Sequence, residues 1–179
     1  VIILLHGLMG AVSNFTNTIE NIPKEGFRVI LPMLPIYKLP MLKTNVYELA
    51  SFVNNFTEEL GIKKFIVLGN SLGGHVGLIL ALKYPKKVTH LILSGSSGLY
   101  ENTLGGAFPR RGDYDYIKNK TQEVFFDPNT ATKELVDEVF NIVNNRKKVI
   151  KVLMMAKSAM RTNMKKELPN ISQKTCIIW

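Results

Sequence analysis

One serine of this sequence lies in a glycine-rich turn of the type that presents a nucleophile. The turn is Gly69-Asn70-Ser71-Leu72-Gly73, and it follows an apolar run. In G-x-S-x-G the serine occupies a strained turn from strand to helix, and the glycines let the two elements approach closely. The turn directs the backbone N–H of Leu72 to the place where a carbonyl oxygen becomes an oxyanion. The pattern therefore predicts Ser71 as the nucleophile of an acyl transfer, and the alternative is a turn that only packs a helix on a strand.

A second glycine turn completes the predicted oxyanion site. His6-Gly7-Leu8-Met9-Gly10 directly follows the apolar run at the start of the chain. A turn at this place can present the N–H of Leu8 to the same site, so Leu8 and Leu72 are the predicted pair of oxyanion donors. We expect Gly7 and Asn14 to contribute to substrate binding.

None of the three histidines is a convincing general base for Ser71. We expect His6, at the mouth of its turn, to hold the loop through hydrogen bonds. His75 follows Ser71 by one helical turn, and its side chain should not reach the hydroxyl in line. His90 precedes an apolar run and is therefore expected at the opposite end of the sheet.

The elements around these turns alternate between strands and helices. Continuous apolar runs, typical of strands buried on both faces, cover residues 1–5, 27–31, 65–69, 91–95 and 175–179. An amphipathic pattern from Val46 to Leu60 predicts a helix with Thr44 as N-cap and Gly61 at its end. A second helix should run from Ser71 to Lys83. This order predicts an α/β fold with a mostly parallel, doubly wound sheet whose ligands bind at the carboxyl ends of the strands.

The chain divides into a core and an insertion. Residues 1–98 form the predicted core, residues 99–170 a helical cap above Ser71, and residues 171–179 the return to a core strand. The cap has helical stretches near 113–126, 131–144 and 146–163. Its four methionines, Met154, Met155, Met160 and Met164, are expected in the core rather than along a pocket. Arg110 and Arg111 could bind a substrate carboxylate, although an exposed pair is more often solvated.

The combined motifs resemble the α/β-hydrolase superfamily. They are HGLMG, GNSLGG, a helix ending in Tyr-Pro and the strand LILSG. Within the superfamily, Val12–Phe15 and the run Phe126-Asp127-Pro128 are similar to the branch that contains meta-cleavage-product hydrolases and esterases. The resemblance implies a serine nucleophile followed by an acid and then a histidine, both after the strand at 175–179. We therefore interpret the chain as a fragment that lacks this acid and histidine and is inactive by itself. Glu101 is a less favoured candidate for the acid.

One departure from that branch bears on the substrate. By local alignment, Val139 stands where the resemblance implies a cap arginine that pairs with the substrate carboxylate. An apolar residue cannot make that pair, so we expect a serine hydrolase that cleaves an ester, thioester or similar acyl bond of a small, largely apolar molecule. The alternatives are a carbon–carbon bond hydrolase of the meta-cleavage type and a non-catalytic member of the fold that binds a small ligand.

Composition argues against several other functions. The net charge is +9, but no dense basic run with interleaved aromatic residues occurs, so we expect no nucleic-acid partner. No apolar run approaches the ~20 residues that span a bilayer. One cysteine, Cys176, and three histidines without ligand spacing predict neither a metal site nor a cofactor. A homodimer is left open, and a cytoplasmic location is favoured although the sequence does not fix the compartment.

Overall fold

Five parallel strands form a single sheet in the order β2-β1-β3-β4-β5. The structure is a computed structural model that describes residues 1–10, 12–99 and 110–179. The strands are β1 (Ile2–Leu5), β2 (Val29–Ile30), β3 (Phe65–Asn70), β4 (Val88–Ser94) and β5 (Lys174–Ile178). The predicted fold class, an α/β protein with a parallel sheet, is confirmed.

The register brings three strand ends to one edge of the sheet. Leu5 of β1 pairs with Gly69 of β3, and Asn70 pairs with Ser94 of β4. Because parallel strands end on the same side, the loops that leave β1, β3 and β4 are neighbours. The turns at residues 6–10 and 69–73 therefore meet, as a shared site requires.

Two strands differ from their predictions. β2 has only two residues, where the apolar pattern predicted five over 27–31. β5 forms where expected, but all of its residues are exposed, whereas a continuous apolar run predicted burial. Among the described strands, β5 pairs only with β4.

Helices occupy both the core and the predicted cap. They are α1 (Thr16–Asn21), α2 (Val46–Glu59), α3 (Leu72–Lys83), α4 (Tyr114–Gln122), α5 (Lys133–Asn144) and α6 (Arg146–Arg161). The N-cap of α2 is Asn45 rather than Thr44, since the N–H of Glu48 donates to Asn45 Oδ1 at 3.0 Å. Gly61 ends this helix with a φ of +66°, a conformation that glycine adopts at little cost. No helix in the described part of the chain combines the length and apolarity needed to cross a membrane.

The long helix α6 joins the predicted cap to the core. Met155, Ala159 and Met164 belong to the main hydrophobic cluster beneath the cap, while Met160 is exposed. The ammonium of Lys151 donates to the carbonyl of Leu39 and to Thr44 Oγ1. These contacts fix α6 to the loop that precedes α2.

Helix α3 lies unusually close to the sheet because its first turn is built from glycine. A Cβ atom on Gly73 would overlap the carbonyl oxygen of Leu5 in β1. A Cβ on Gly69 would overlap the backbone of Gly73 and Gly74. Only residues without side chains permit this approach, so the glycines are required by packing.

This packing predicts the effect of a single methyl group. Gly73→Ala should lower the free energy of unfolding by about 3 kcal/mol, because the new atom meets rigid backbone rather than a movable side chain. Gly112→Ala is the matched control, since a Cβ there meets nothing within 4 Å, and its change should stay within about 0.5 kcal/mol. Urea denaturation followed by circular dichroism measures both, and equal stabilities would contradict the packing argument.

Candidate active site

Ser71 has the backbone of a strained turn. Its φ is 51° and its ψ is −117°, and it is the one residue other than glycine with a positive φ in the described ranges. Such a conformation costs about 1–3 kcal/mol and persists only where surrounding contacts enforce it. The structure therefore places Ser71 in the conformation that the sequence pattern predicts.

Hydrogen bonds hold the Ser71 peptide on both sides. Its N–H donates to the carbonyl of Ser94 at 3.0 Å, which ties it to the end of β4. Its own carbonyl accepts from the N–H groups of Gly74, His75 and Ser97 at 3.0, 3.2 and 3.1 Å. This network immobilises the backbone and leaves the hydroxyl as the variable part of the residue.

The turn after β1 lies directly beside the serine. A Cβ atom on Gly7 would lie 3.5 Å from Ser71 Cβ and 3.4 Å from Asn70 Oδ1. Leu72 is the first residue of α3, so its N–H has no partner inside the helix. Among the described residues, no hydrogen bond uses the N–H of Leu8 or of Leu72. Both groups are thus available, although their role as oxyanion donors stays a prediction.

His6 is a structural residue in this arrangement. Its Nε2 accepts the N–H of Leu34 at 3.0 Å, so its proton is assigned to Nδ1, which donates to the carbonyl of Gly7 at 2.8 Å. Burial lowers the pKa of His6, and the Gly7 carbonyl and the charge of Glu138 oppose this shift. With both ring nitrogens engaged, the neutral imidazole cannot take the proton of Ser71.

The other two histidines are also unsuited to act as the base. His75 is fully buried on α3, where a Cβ on Gly98 would lie 3.1 Å from its ring. Burial lowers its pKa to about 4, opposed by the carbonyl of Thr162. His90 is exposed and pairs with Ile66 in the first half of β3, far along the strand from Ser71.

Asn14 lies next to the turn after β1. It is an exposed residue of the 3-10 helix Val12–Phe15. Its Oδ1 lies 3.2 Å from the position that a Cβ on Gly10 would occupy, and the N–H of Gly10 donates to the Gly7 carbonyl at 3.1 Å. The predicted contacts of Gly7 and Asn14 with substrate remain predictions.

Two cap helices cover the turn after β1. Ile117 of α4 and Val139 and Val143 of α5 form a cluster against which Met9 packs. Val139 is only 5% exposed, so its side chain serves the contact between α5 and the turn. The helices of the predicted cap therefore contact the turn after β1 through apolar side chains.

Three further charged residues, Arg110, Arg111 and Asp113, directly precede helix α4. Arg110 and Arg111 are exposed, and the carbonyl of Arg111 accepts from Asn144 Nδ2 at 2.7 Å. Asp113 caps α4 through the N–H of Tyr116. Glu101 lies outside the described residues. Within those residues, no three His, Cys, Asp or Glu side chains are grouped so that they could hold a metal ion.

Three residues that position the site were missed by the sequence reasoning. Ser94 and Ser97 bind the Ser71 peptide, and Leu34 binds His6. All three act through backbone atoms, which carry no signal in residue type. Only the position of Ser94 and Ser97, at and just beyond the carboxyl end of β4, could have indicated their role.

A comparison with protein families matches residues 1–170 to the family described as alpha/beta hydrolase fold. The chain belongs to this family. A hydrolase from Comamonas testosteroni, named for 2-hydroxy-6-oxononadienedioate and 2-hydroxy-6-oxononatrienedioate, is 29% identical over 199 residues, which cover 99% of this chain and 69% of that protein. The relatives are hydrolases, so the prediction of an enzyme of this fold is confirmed at the level of the family.

Solved structures agree on the fold. An alpha/beta hydrolase enzyme from the metagenome of lagoon sediments of Mar Chica, Morocco, has 39% identity and a TM-score of 0.77 over 99% of this chain and 66% of its own. A 2-hydroxy-6-oxo-6-phenylhexa-2,4-dienoate hydrolase from Rhodococcus sp. strain RHA1 has 21% identity and a TM-score of 0.77 over 98% of this chain and 71% of its own. The chain thus spans slightly more than two thirds of the length of the Comamonas and Rhodococcus proteins and slightly less than two thirds of the Mar Chica enzyme.

The buried His75 predicts a dependence of stability on pH. The unfolded chain binds the imidazole proton near 6.5, whereas the folded chain binds it only near 4. The full stability is therefore present above pH 6.5 and is lost as the pH falls toward 4. The loss due to this group is about 3 kcal/mol.

Replacing the imidazole tests this assignment. Between pH 6.5 and 4, the free energy of unfolding of His75→Leu should fall by about 3 kcal/mol less than that of the wild type. His90→Leu, at an exposed position, is the control and should follow the wild-type curve. Parallel curves for His75→Leu and the wild type would show that His75 is not the responsible group.

Proposed function

We propose that the protein is a serine hydrolase that cleaves an ester, thioester or similar acyl bond through an acyl-enzyme on Ser71. The observation that carries the proposal is the strained Ser71 backbone with φ 51° at the carboxyl edge of the sheet, beside the turn of Gly7. A fold enforces such strain mainly where it serves a function. A turn needed only for packing would not require a serine at this position.

The reaction starts with attack by the Ser71 hydroxyl on the substrate carbonyl. The resulting tetrahedral oxyanion would accept hydrogen bonds from the N–H groups of Leu8 and Leu72, each worth about 3 kcal/mol of transition-state stabilisation. Collapse expels the alcohol or thiol and leaves an ester on Ser71, which water then hydrolyses. Both donors belong to backbone that packing already fixes, so little reorganisation accompanies the reaction.

A base must take the proton of Ser71, and the proposal assigns none of the histidines of this sequence to that task. His6 is engaged at both ring nitrogens, His75 is buried behind the turn, and His90 lies toward the other end of β4. The proposal therefore requires a histidine, and an acid to orient it, from outside residues 1–179. Activity is accordingly a property to test on the full-length protein.

The apolar contacts around the site support a small and largely apolar acyl group. Leu8 packs against the main core, and Met9 packs against α4 and α5. The surroundings of the predicted oxyanion donors are thus largely apolar. Apolar surroundings stabilise an alkyl or acyl chain by burying it from water.

A fluorophosphonate probe tests the nucleophile. In the full-length protein the probe should label Ser71, because an activated serine attacks phosphorus as it attacks a carbonyl. Ser71→Ala should lose labelling, while Ser172→Ala, at an exposed position, should keep it. Absence of labelling in the wild-type protein, with correct folding shown by circular dichroism, would refute the proposal.

Carbon–carbon bond hydrolysis is the second candidate. The names of the Comamonas and Rhodococcus proteins favour it. Against it stands Val139 of α5, which is buried in the cluster with Ile117 and Met9 and offers no charge to a substrate carboxylate.

Substrate turnover separates the two candidates. If the acyl reaction is the correct one, the full-length protein should hydrolyse p-nitrophenyl butyrate at least about tenfold more efficiently, in kcat/KM, than a dienoic keto acid, because a desolvated charge without a partner is costly. Val139→Arg should narrow the difference in kcat/KM between the ester and the keto acid. Val136→Arg, on the same helix, is the control for the insertion of a charge. A wild-type preference for the keto acid would establish the second candidate instead.

A further inference from the structure

Helix α6 carries many basic side chains and no acidic one. Its cations are Arg146, Lys147, Lys148, Lys151, Lys157 and Arg161. All of them are exposed except Lys151, which is buried. In the described part of the chain, no salt bridge includes a residue of α6. Arg161 lines a groove together with Glu167, so the unopposed positive charge lies mainly in residues 146–157.

Exposed apolar residues share one side of α6 with these cations. Because an α-helix has about 3.6 residues per turn, residues at spacings of three and four lie on the same side. Five exposed residues of α6 follow this spacing, and we call their side the outer face: Arg146, Ile150, Leu153, Lys157 and Met160. Of these, Ile150, Leu153 and Met160 are 38%, 37% and 44% exposed. The outer face is therefore both basic and apolar.

The loop that precedes α2 lies along the same helix. The ammonium of Lys151 donates to the carbonyl of Leu39 and to Thr44 Oγ1. One turn of α2 further on, the N–H of Val46 donates to Ser158 Oγ at 3.1 Å. These hydrogen bonds hold the loop and α6 together as one surface.

The part of the loop between these contacts has the same composition as the outer face. It is the 3-10 helix Met41–Lys43. Met41 is 49% exposed and Leu42 is 98% exposed, and the exposed Lys43 follows them. A second group of apolar side chains next to a cation thus stands beside α6.

An anionic lipid surface fits this chemistry better than other occupants. Lysine and arginine keep their charge among lipid phosphates, while neighbouring apolar side chains enter the boundary with the acyl chains. A second copy of the chain would bring two positive surfaces together, since the net charge is +9. A single-stranded nucleic acid is bound with the help of aromatic side chains, and α6 contains none.

We propose that the outer face of α6 and the residues Met41–Lys43 form a docking surface for membranes that contain anionic lipids. The helix lies in the plane of the membrane, and its cations bind the lipid phosphates. Ile150, Leu153 and Leu42 enter the boundary between headgroups and acyl chains. The inference is independent of the reaction proposed at Ser71.

Sedimentation with lipid vesicles tests the role of charge on the full-length protein. The wild type should bind vesicles of phosphatidylcholine with about 30% phosphatidylglycerol, and it should bind pure phosphatidylcholine only weakly. Lys147→Gln combined with Lys157→Gln should weaken the partition into the anionic vesicles about 30-fold, which is about fivefold for each cation. Lys63→Gln combined with Lys64→Gln, at exposed positions before β3, is the matched control and should stay within about twofold of the wild type.

The apolar residues distinguish a lipid surface from an acidic protein or a nucleic acid. Ile150→Ser combined with Leu153→Ser should weaken binding to the anionic vesicles about tenfold, because these side chains then bury less apolar surface in the lipid. Val124→Ser combined with Phe126→Ser, at exposed positions after α4, removes apolar surface elsewhere and should leave binding unchanged. Circular dichroism verifies that each variant is folded.

Three results would overturn the inference. The first is a wild type that does not bind the anionic vesicles, and the second is an equal loss of binding in the Lys63 and Lys64 control. The third is unchanged binding of the Ile150 and Leu153 variant, which would indicate attraction by charge alone, as an acidic protein or a nucleic acid exerts it. Release of the wild type at about 0.5 M sodium chloride supports the contribution of the cations.

Discussion

The close approach of α3 to β1 and β3 is the constraint on which the site depends. Gly69 and Gly73 remove the two Cβ atoms that would otherwise separate the helix from the strands. Because the helix starts so near the sheet, the chain must reverse within one residue, and Ser71 takes a left-handed φ of 51°. The same geometry leaves the first N–H of the helix, that of Leu72, without a partner. Packing thus produces both the strained backbone of the predicted nucleophile, Ser71, and one predicted oxyanion donor.

The loops after β1 and β4 stabilise this arrangement from either side. The carbonyl of Ser71 accepts an N–H from Ser97, and its N–H donates to Ser94. On the other side, His6 links its own turn to the loop of Leu34 and stays neutral because it is buried. A protonated His6 would lose the hydrogen bond that it accepts at Nε2. His6 therefore has a structural role, because its two ring nitrogens connect its own turn to the loop of Leu34.

The helices of the predicted cap add apolar contacts at the carboxyl edge of the sheet. Val139 and Ile117 pack with Met9, so apolar side chains cover one side of the turn after β1. Family membership identifies the fold, and the fold alone does not fix the substrate.

Local patterns in the sequence were sufficient to predict the parallel sheet, the position of α3 and the turn of Ser71. These features depend on neighbours in the chain, because glycine spacing and apolar runs act over a few residues. Where a tertiary choice intervened, the predictions were less accurate: Asn45 caps α2 in place of Thr44, and β2 is shorter than its apolar run. The exposure of all five residues of β5 likewise differs from what its apolar run predicted.

By itself, the sequence determined that Ser71 lies in a tight turn from strand to helix and that a second glycine turn follows β1, since each motif consists of consecutive residues. Only the tertiary structure decided which groups surround them. The link from His6 to Leu34 spans 28 residues, and the links from Ser71 to Ser94 and Ser97 join separate loops through backbone atoms. The contact of Val139 with Met9 depends on how α5 lies over the turn. Such contacts arise from the packing of distant segments, and residue types at those positions do not reveal them in advance.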